Sequence, residues 1–210
     1  MKIKLKKINK SVFRKSDKTE LRILNDLDFS FENGLFIIKG DNGAGKTTLL
    51  YILSLLDFSF QGTYLIDDLD IKTLQKDEID EFKSKISLLF SKNNLLNFLT
   101  VEQTIKYFLG NHKKVDLNLK LPKKQLVCTL SGGEEILLAL EIDLSLNKEL
   151  FLLDEVTAML DEEHFEKVMS VLTSISKNSI IILVSHDPRC FKYGKLLELK
   201  NGKLEECNWA

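Results

Sequence analysis

The segment Gly40–Thr47, with the sequence GDNGAGKT, constrains the fold of this 210-residue chain more than any other feature. It follows Leu35–Ile38, a short apolar run that is typical of a strand buried on both faces. It precedes Lys46–Leu56, for which the pattern predicts a helix. A glycine-rich turn at this place lets successive backbone N–H groups surround phosphate oxygens at a helix N-terminus. The segment therefore predicts a phosphate-binding loop, and the alternative is a glycine-rich turn that binds nothing.

The spacing G-x-x-x-x-G-K-[ST] also predicts what individual side chains do. Lys46 is expected to hold the β- and γ-phosphates of a nucleotide, and Thr47 is expected to ligate Mg²⁺. The predicted phosphate-binding residues are Gly40, Asp41, Asn42, Gly43, Ala44, Gly45, Lys46, Thr47 and Thr48.

Two further apolar runs end in residues that suit the same chemistry. Asp154 and Glu155 follow the run Phe151–Leu153, where Asp154 would hold Mg²⁺ through water and Glu155 would accept a proton from an attacking water. The alternative is that this acidic pair only caps a helix. His186 follows the apolar run Ile180–Val184 and is expected to contact the γ-phosphate, the alternative being a structural histidine. Together with Lys46, Glu155 and His186 are the candidate catalytic residues.

A second candidate anion site lies at Ser131-Gly132-Gly133, before a predicted helix that runs to about Ser145. Ser131 suits an N-cap, which is the simpler interpretation of this serine. A cap alone does not explain two glycines followed by an apolar helix. A serine hydroxyl and unblocked N–H groups at a helix start can bind an anion. The chain therefore carries two predicted phosphate-binding devices.

Charge and composition exclude several classes of partner. The chain has 30 Lys+Arg and 31 Asp+Glu, and its near-zero net charge of −1 gives no electrostatic reason for a nucleic-acid partner. The stretch from Glu134 to Glu166, with eleven acidic residues and one lysine, would repel phosphodiester backbones. The longest uncharged apolar stretch, Thr47–Leu56, has about half the length of a membrane span, so we expect no direct membrane insertion. His112 and His164 are predicted to be solvated surface residues.

The distribution of apolar residues predicts the fold class. Met1–Ile8 alternates charged and apolar residues, and Leu27–Glu32 also has the period of a half-buried strand. Residues 74–145 are mostly compatible with helix, and a final hairpin is predicted around Asn201-Gly202. Buried strands that alternate with helices indicate an α/β fold with a parallel sheet, interrupted here by a helical insertion.

The motifs GDNGAGKTT, LSGGE, FLLDE, TAMLD and VSHD, in that order, resemble the nucleotide-binding domain of ABC (ATP-binding cassette) proteins. The resemblance covers essentially the whole chain. It implies a single domain over residues 1–210, with a P-loop NTPase core, a mostly parallel sheet, an N-terminal antiparallel β element and a short helical subdomain. The implied RecA-like core comprises residues 1–80 and 146–210, and the implied helical subdomain, with the signature motif, comprises residues 81–145.

The resemblance also implies how the site is assembled. Two cassettes would form a head-to-tail dimer, either a homodimer or a heterodimer, with ATP and Mg²⁺ as ligands. Each ATP would lie between the Lys46 loop of one subunit and the Ser131-Gly132-Gly133 turn of the other. Glu155 would be the general base, and Asp161 would communicate across the interface. Phe13 either stacks on adenine or belongs to the core, and the sequence leaves both interpretations open.

Several positions depart from the family pattern. Ser91 stands where the family has a glutamine near Mg²⁺, so this metal ligand has a shorter reach and hydrolysis is expected to be slow. Asn93 or Asn94 could substitute for it through a shifted loop. The other departures are Glu134 for glutamine, Leu137 and Ile142 for arginines, and Val156 for proline. Because Lys46, Glu155 and His186 are all present, we still expect a working ATPase.

Among ABC proteins, the transporter cassettes match best. Leu99–Glu102 resembles the segment beside which transporter cassettes receive a cytoplasmic helix of a multi-span membrane subunit. The implied location is cytoplasmic, peripheral on the inner face of the cell membrane. The alternative is a non-transport ABC-type ATPase, SMC-like or regulatory, in a soluble complex. The short segment between Gly45 and Leu130, which lacks sustained heptads, disfavours the SMC-like form.

Overall fold

The structure, a computed structural model, describes residues 1–14, 19–92, 94–110, 117 and 119–208. The strands are β1 (Ile3–Arg14), β2 (Thr19–Phe31), β3 (Gly34–Lys39), β4 (Gln61–Ile66), β5 (Leu69–Asp70), β6 (Ile86–Phe90), β7 (Leu150–Asp154), β8 (Ile180–Val184), β9 (Lys195–Lys200) and β10 (Lys203–Glu206). The α-helices are α1 (Lys46–Leu53), α2 (Lys76–Ser84), α3 (Val101–Leu109), α4 (Gly132–Asp143) and α5 (Glu162–Ile175). Short 3-10 helices cover Val127–Thr129, Leu144–Leu146 and Pro188–Lys192.

The larger sheet has six strands in the order β10-β9-β3-β8-β7-β6. Strands β9, β3, β8, β7 and β6 run parallel to one another, and β10 returns antiparallel to β9 through Asn201-Gly202. The central strand β8 is apolar throughout and every one of its residues is buried, as expected for a strand whose two faces are both covered. The mostly parallel sheet and the final hairpin are thus confirmed.

The smaller sheet is antiparallel, in the order β2-β1-β4-β5. Strand β1 pairs with β2 on one side and with β4 on the other. Ile3 and Leu5 are buried while Lys4 is partly exposed and Lys6 exposed, which matches the period of a half-buried strand. The period breaks at Lys7, where the pairing of β1 with β2 shifts register between Leu5 and Ile8. The N-terminal antiparallel β element is therefore confirmed.

The stretch 74–145 is less helical than its sequence predicts. Ile86–Phe90 forms β6, which pairs in parallel with β7 inside the larger sheet. A short, mostly apolar segment such as this one fits a helix or a strand equally well, and pairing with β7 decides the outcome. The expectation of a helix-compatible segment is wrong at β6, and the proposed division into residues 1–80, 81–145 and 146–210 stays a prediction. Strands β4 and β5 had no counterpart in the sequence analysis.

The core lies on both faces of the larger sheet. One apolar cluster joins this sheet to α1 and the smaller sheet through residues such as Phe31, Leu50 and Tyr64. The other joins it to α4 and α5 through residues such as Leu140 and Phe165. These layers fix the strand ends from which the site is built. Among the helices in the described ranges, none is long and apolar enough to cross a membrane.

Candidate active site

The sequence motifs that follow β3, β7 and β8 meet at one edge of the larger sheet. These strands are parallel neighbours, so their carboxyl ends lie side by side, which is where ligands bind in such sheets. A cleft of about 520 Å³ opens there, and we call it the phosphate cleft. Its lining residues are Ile23, Asn42, Gly43, Gly45, Lys46, Thr47, Thr48, Phe90, Ser91, Asp154, Glu155 and His186.

The loop between β3 and α1 needs glycine at two positions. Gly45 has φ of 102°, in the left-handed region, and a Cβ there would lie 2.6 Å from Cγ2 of Ile23. A Cβ on Gly40 would lie 2.5 Å from the carbonyl oxygen of Leu199 in β9. Larger residues would push the loop away from β2 of the smaller sheet and β9 of the larger sheet. The two glycines therefore allow the loop to lie close to both sheets.

Lys46 lines the phosphate cleft and is largely buried. Its Nζ donates to the carbonyl oxygens of Gly40 at 2.6 Å and Asp41 at 3.0 Å, and lies 3.1 Å from Nε2 of His186. An ammonium group has no lone pair, so Nε2 accepts and the proton of a neutral imidazole is on Nδ1. Phosphate oxygens would form stronger, charge-assisted bonds with this ammonium than the loop carbonyls do.

Thr47 and Asp154 form the candidate metal site. The Thr47 hydroxyl donates to Oδ2 of Asp154 at 2.9 Å, and Ser91 lines the same cleft. A hydroxyl and a carboxylate are oxygen ligands that suit Mg²⁺, which normally takes one or two carboxylates together with phosphate oxygens and water. Within the described ranges, no group of three or more His, Cys, Asp or Glu residues is placed to hold a metal ion by itself. The donors present therefore fit Mg²⁺ brought in with a nucleotide.

The two asparagines after Ser91 were possible substitutes for the missing glutamine. The side chain of Asn94 is already hydrogen-bonded to Phe90: it accepts from the backbone N–H at 2.9 Å and donates to the carbonyl oxygen. Asn94 does not line the phosphate cleft, and Asn93 lies outside the described residues.

Glu155 has an unusual backbone and one unsatisfied carboxylate oxygen. Its φ is 55°, and its N–H donates to the carbonyl oxygen of Val184 at 3.0 Å. Oε2 accepts from the backbone N–H of His186 at 3.3 Å, while Oε1 lies 3.6 Å from His186 Nε2. Among the described residues, Oε1 has no hydrogen-bond donor although it is buried. A left-handed backbone at a non-glycine residue often marks a functional position, and this oxygen can accept a proton.

Ser131-Gly132-Gly133 lies at the exposed start of α4 and outside the phosphate cleft of its own chain. Ser131 Oγ accepts from the Glu134 N–H at 3.3 Å and donates to Glu134 Oε2 at 2.8 Å, and the Ser131 N–H also donates to that oxygen at 2.8 Å. This reciprocal arrangement is a capping box. The backbone N–H and the hydroxyl of Ser131 lower the pKa of Glu134. Ser131 is thus an N-cap in this chain.

Asp161 caps α5 and also lies outside the phosphate cleft. Its Oδ1 accepts from the backbone N–H of His164 at 2.9 Å, and Nδ1 of His164 lies 2.8 Å from the same oxygen. The backbone N–H and then the imidazole of His164 lower the pKa of Asp161. The His164 side chain is 31% exposed, so His164 lies at the surface, and its imidazole is a partner of Asp161. His112 lies outside the described residues.

Phe13 is on the outer part of β1, opposite Glu20 of β2. Its side chain is 65% exposed, so the interpretation as a core residue is wrong. Phe13 does not line the phosphate cleft, and stacking on adenine stays a prediction. The apolar lining comes instead from Ile23 and Phe90, which the sequence analysis missed. The close approach of Ile23 to Gly45 is a tertiary contact without a signal in the sequence.

The chain is similar in sequence to proteins whose names describe ATP binding. A model of the ABC transporter family matches residues 24–158, more than half of the chain. The macrolide export ATP-binding/permease protein MacB of Campylobacter jejuni is 32% identical over 202 residues, covering 88% of this chain and 32% of MacB. The methionine import ATP-binding protein MetN of Photobacterium profundum is 29% identical over 201 residues, covering 88% of this chain and 58% of MetN. The chain thus spans about a third of the length of MacB.

Solved structures share the fold. A dimeric post-hydrolysis structure of the ATP-binding cassette MJ0796, bound to ADP and Pi, has a TM-score of 0.81 and 22% identity, covering 99% of this chain and 100% of that one. A bacterial Atm1-family ABC exporter with ATP bound also has a TM-score of 0.81, with 21% identity, covering 98% of this chain and 38% of the exporter chain. Fold, motif order and family match agree, and the chain belongs to the ABC transporter family.

Proposed function

We propose that the protein binds ATP in the phosphate cleft and hydrolyses it to ADP and phosphate. The observation that carries the proposal is the contact of three groups from distant parts of the chain. Lys46 Nζ lies 3.1 Å from His186 Nε2, which lies 3.6 Å from Glu155 Oε1. A cation, an imidazole and a proton acceptor are thereby concentrated beside a loop of backbone N–H donors.

Each group of residues in the phosphate cleft would have its own role in phosphoryl transfer. The Gly40–Thr48 segment would bind the β- and γ-phosphates through backbone N–H groups and the Lys46 ammonium. His186 would contact the γ-phosphate, and Oε1 of Glu155 would accept a proton from the attacking water. Thr47, Asp154 and Ser91 would hold Mg²⁺, which when bound neutralises charge on the phosphate oxygens. Charge neutralisation and orientation are the main contributions that proteins make to this reaction.

A second copy, or a different cassette, would complete each site. Ser131, Gly132 and Gly133 form an exposed helix start that does not line the cleft of their own chain, so the N–H groups of Gly132 and Gly133 would be offered to a nucleotide on a partner. The structural neighbour MJ0796 is described as a dimeric bacterial ABC transporter cassette, and this chain has the same fold. Two ATP molecules would then close the dimer, and hydrolysis would open it, with Asp161 at the interface.

The activity is proposed to drive transport through a multi-span membrane subunit. The relatives include a macrolide exporter and a methionine importer, so the cassette is compatible with either direction. The chain would act at the cytoplasmic, inner face of the cell membrane through that partner, and no nucleic acid is expected at the acidic stretch from Glu134 to Glu166.

Phosphate release from Mg-ATP by the purified chain tests the enzymatic part of the proposal. Glu155→Gln keeps the size of the side chain but removes the proton acceptor, so turnover should fall by about 100-fold or more while ATP still binds. Light scattering should then detect a dimer of this variant at saturating ATP. Glu205→Gln, an exposed change in β10, serves as the control and should leave turnover unchanged.

Three results would contradict the proposal. Equal turnover of Glu155→Gln and the parent would remove Glu155 from the chemistry. A monomeric Glu155→Gln protein at saturating ATP would rule out the two-chain site. A stable complex with soluble proteins only, purified from cells under conditions that retain membrane complexes, would favour the non-transport ATPase.

A further inference from the structure

Arg189 joins the two segments that follow β7 and β8. Its Nε and Nη2 donate to Oδ2 of Asp187 at 2.9 and 2.7 Å. Nη1 donates to Oε2 of Glu162 at 2.9 Å, and Nη2 also reaches the carbonyl oxygen of Leu160 at 3.3 Å. One guanidinium thus holds the residue after His186 and both neighbours of Asp161.

The guanidinium is also fixed in orientation. Its Cζ lies 4.2 Å from the centroid of the Phe165 ring in α5, and its side chain is about one-third exposed. Burial alone would raise the pKa of Asp187, but the hydrogen bonds and charge of Arg189 lower it. The planar guanidinium contacts Asp187 through two nitrogens, Glu162 through the third and the face of the Phe165 ring at the same time. The single ammonium group of a lysine is unable to make all of these contacts.

A second contact lies beneath the guanidinium. Thr157, Ser185 and Cys190 are fully buried, and Thr157 Oγ1 lies 3.3 Å from Ser185 Oγ and 3.5 Å from Cys190 Sγ. The turn Thr157–Glu162 therefore contacts the Ser185–Cys190 segment twice. The inner contact is made by buried Thr157, and the outer contact is made by the partly exposed guanidinium of Arg189. Among the described residues, the attachment through Arg189 is the one that reaches the end of the turn that carries Asp161.

The same turn touches the start of α4. A Cβ on Gly133 would lie 3.2 Å from the carbonyl oxygen of Met159, and a Cβ on Gly132 would lie 2.9 Å from the Met159 sulfur. The turn Thr157–Glu162 consequently lies between His186 in the phosphate cleft and the Gly132-Gly133 helix start, which belongs to the other proposed phosphate site.

We propose that Arg189 is a positioning residue that couples the two phosphate sites of one chain through the turn Thr157–Glu162. This inference rests on the proposed function, because it requires nucleotide at both sites. With Arg189 in place, a movement of His186 toward or away from the γ-phosphate also moves Asp161 and Met159. Without it, Thr157 still attaches one end of the turn, but the end that carries Asp161 can move independently of His186. Each ATP is then hydrolysed less efficiently, and binding at one site no longer affects hydrolysis at the other.

The test compares Arg189→Met and Arg189→Lys in the full chain by steady-state ATP hydrolysis. Methionine keeps an apolar stem beside Phe165 but removes every side-chain donor, while the backbone N–H of residue 189 can still donate to Asp187. We expect kcat to fall about 10-fold while the KM for ATP stays within about twofold, because Arg189 does not touch the nucleotide-binding loop. The Hill coefficient for ATP should fall toward one, and lysine should restore only part of both losses.

A double-mutant cycle with Glu162→Gln separates coupling from loss of stability. If both residues act through one contact, Glu162→Gln lowers kcat in the parent but has no further effect in Arg189→Met. Glu162→Gln changes an exposed side chain, so it also provides the measurement if Arg189→Met does not fold. Tyr193→Phe is the control, because it removes the bond to Glu166 between the same two elements without touching His186 or Asp161.

The outcomes distinguish this inference from the proposed function. If the parent hydrolyses ATP and Arg189→Met has the same kcat and Hill coefficient, the inference is wrong and the function stands. Additive losses in the double-mutant cycle, or an equal loss in Tyr193→Phe, would also overturn the inference. If the parent chain does not bind or hydrolyse ATP, both fail together.

Discussion

The hydroxyl of Ser87 in β6 donates a hydrogen bond to the carboxylate of Asp143 near the end of α4. Asp143 is buried, and among the described residues its Oδ2 has no hydrogen-bond partner. Burial raises the pKa of Asp143 to about 6, against the Ser87 hydrogen bond and the charge of Lys148, which lower it. A strand of the larger sheet is thus joined to α4 by a carboxyl group that binds its proton more tightly than an exposed one does.

Asp143 should make the protein less stable as the pH rises from about 4 to about 6. A carboxyl group whose pKa is higher in the folded than in the unfolded state binds its proton more tightly when folded, so the free energy of unfolding falls across this window. The loss amounts to about 3 kcal/mol at most. Asp143→Asn keeps an acceptor for Ser87 and removes the titration, so the difference in stability between parent and variant should change with pH.

Urea unfolding at several pH values between 4 and 7 measures this difference. Asp80→Asn, an exposed change in α2, is the control and should follow the pH dependence of the parent. Parallel curves for Asp143→Asn and the parent would show that Asp143 does not titrate in this range.

Ser91→Gln should raise the rate of ATP hydrolysis. Ser91 lines the phosphate cleft near the Thr47–Asp154 pair, and a glutamine amide extends further toward a metal ion or water than a hydroxyl does. We expect turnover to rise about threefold or more, since better orientation of the reacting groups lowers the barrier. Lys92→Gln places the same side chain one residue later and should have no effect. An unchanged rate for Ser91→Gln would mean that another residue has taken the role.

Thr47→Val should weaken the response of hydrolysis to Mg²⁺. Valine has nearly the shape of threonine but lacks the hydroxyl that donates to Asp154 at 2.9 Å. We expect turnover at saturating ATP to fall about 100-fold and more Mg²⁺ to be needed for half-maximal rate. Thr47→Ser, which keeps the hydroxyl, should retain most activity. Equal Mg²⁺ dependence of the valine and serine variants would exclude the hydroxyl as a ligand.

Phe13→Ala should weaken ATP binding without affecting stability. Phe13 is 65% exposed, so its removal leaves no cavity in the core. Stacking of an aromatic ring on a base contributes about 1–3 kcal/mol, which predicts a KM for ATP about fivefold higher or more. Phe13→Tyr should preserve the KM. Phe98→Ala, which truncates another exposed aromatic ring, is the control. An unchanged KM in Phe13→Ala would place adenine elsewhere.

The sequence predicts the site better than its surroundings. The runs Phe151–Leu153 and Ile180–Val184 are apolar throughout and end in polar residues, so their strands and the edge where they meet follow from pattern and parallel pairing. The glycines of the loop after β3 have an equally clear physical reason. These features depend on local patterns and on one general property of parallel sheets.

Other features depend on contacts that no local pattern encodes. Ile86–Phe90 becomes a strand because β7 offers a free edge, and the same five residues would suit a helix. Phe13 is exposed because β1 extends beyond the core, although its residue type suits burial. The role of Arg189 follows from Glu162, a partner that lies 27 residues away in the chain and close to it in space.

The contact between Lys46 and His186 joins positions 140 residues apart in the chain. Its formation requires β3, β7 and β8 to be assembled in register, so a partly folded or truncated chain would have the nucleotide loop without the groups that face it. Pairing over such separations is slow, because chain entropy is lost before the contact forms. Nucleotide that bridges Lys46 and His186 would bind only the completed sheet and would therefore protect the whole domain against unfolding, so that the proposed substrate ATP would also stabilise the fold.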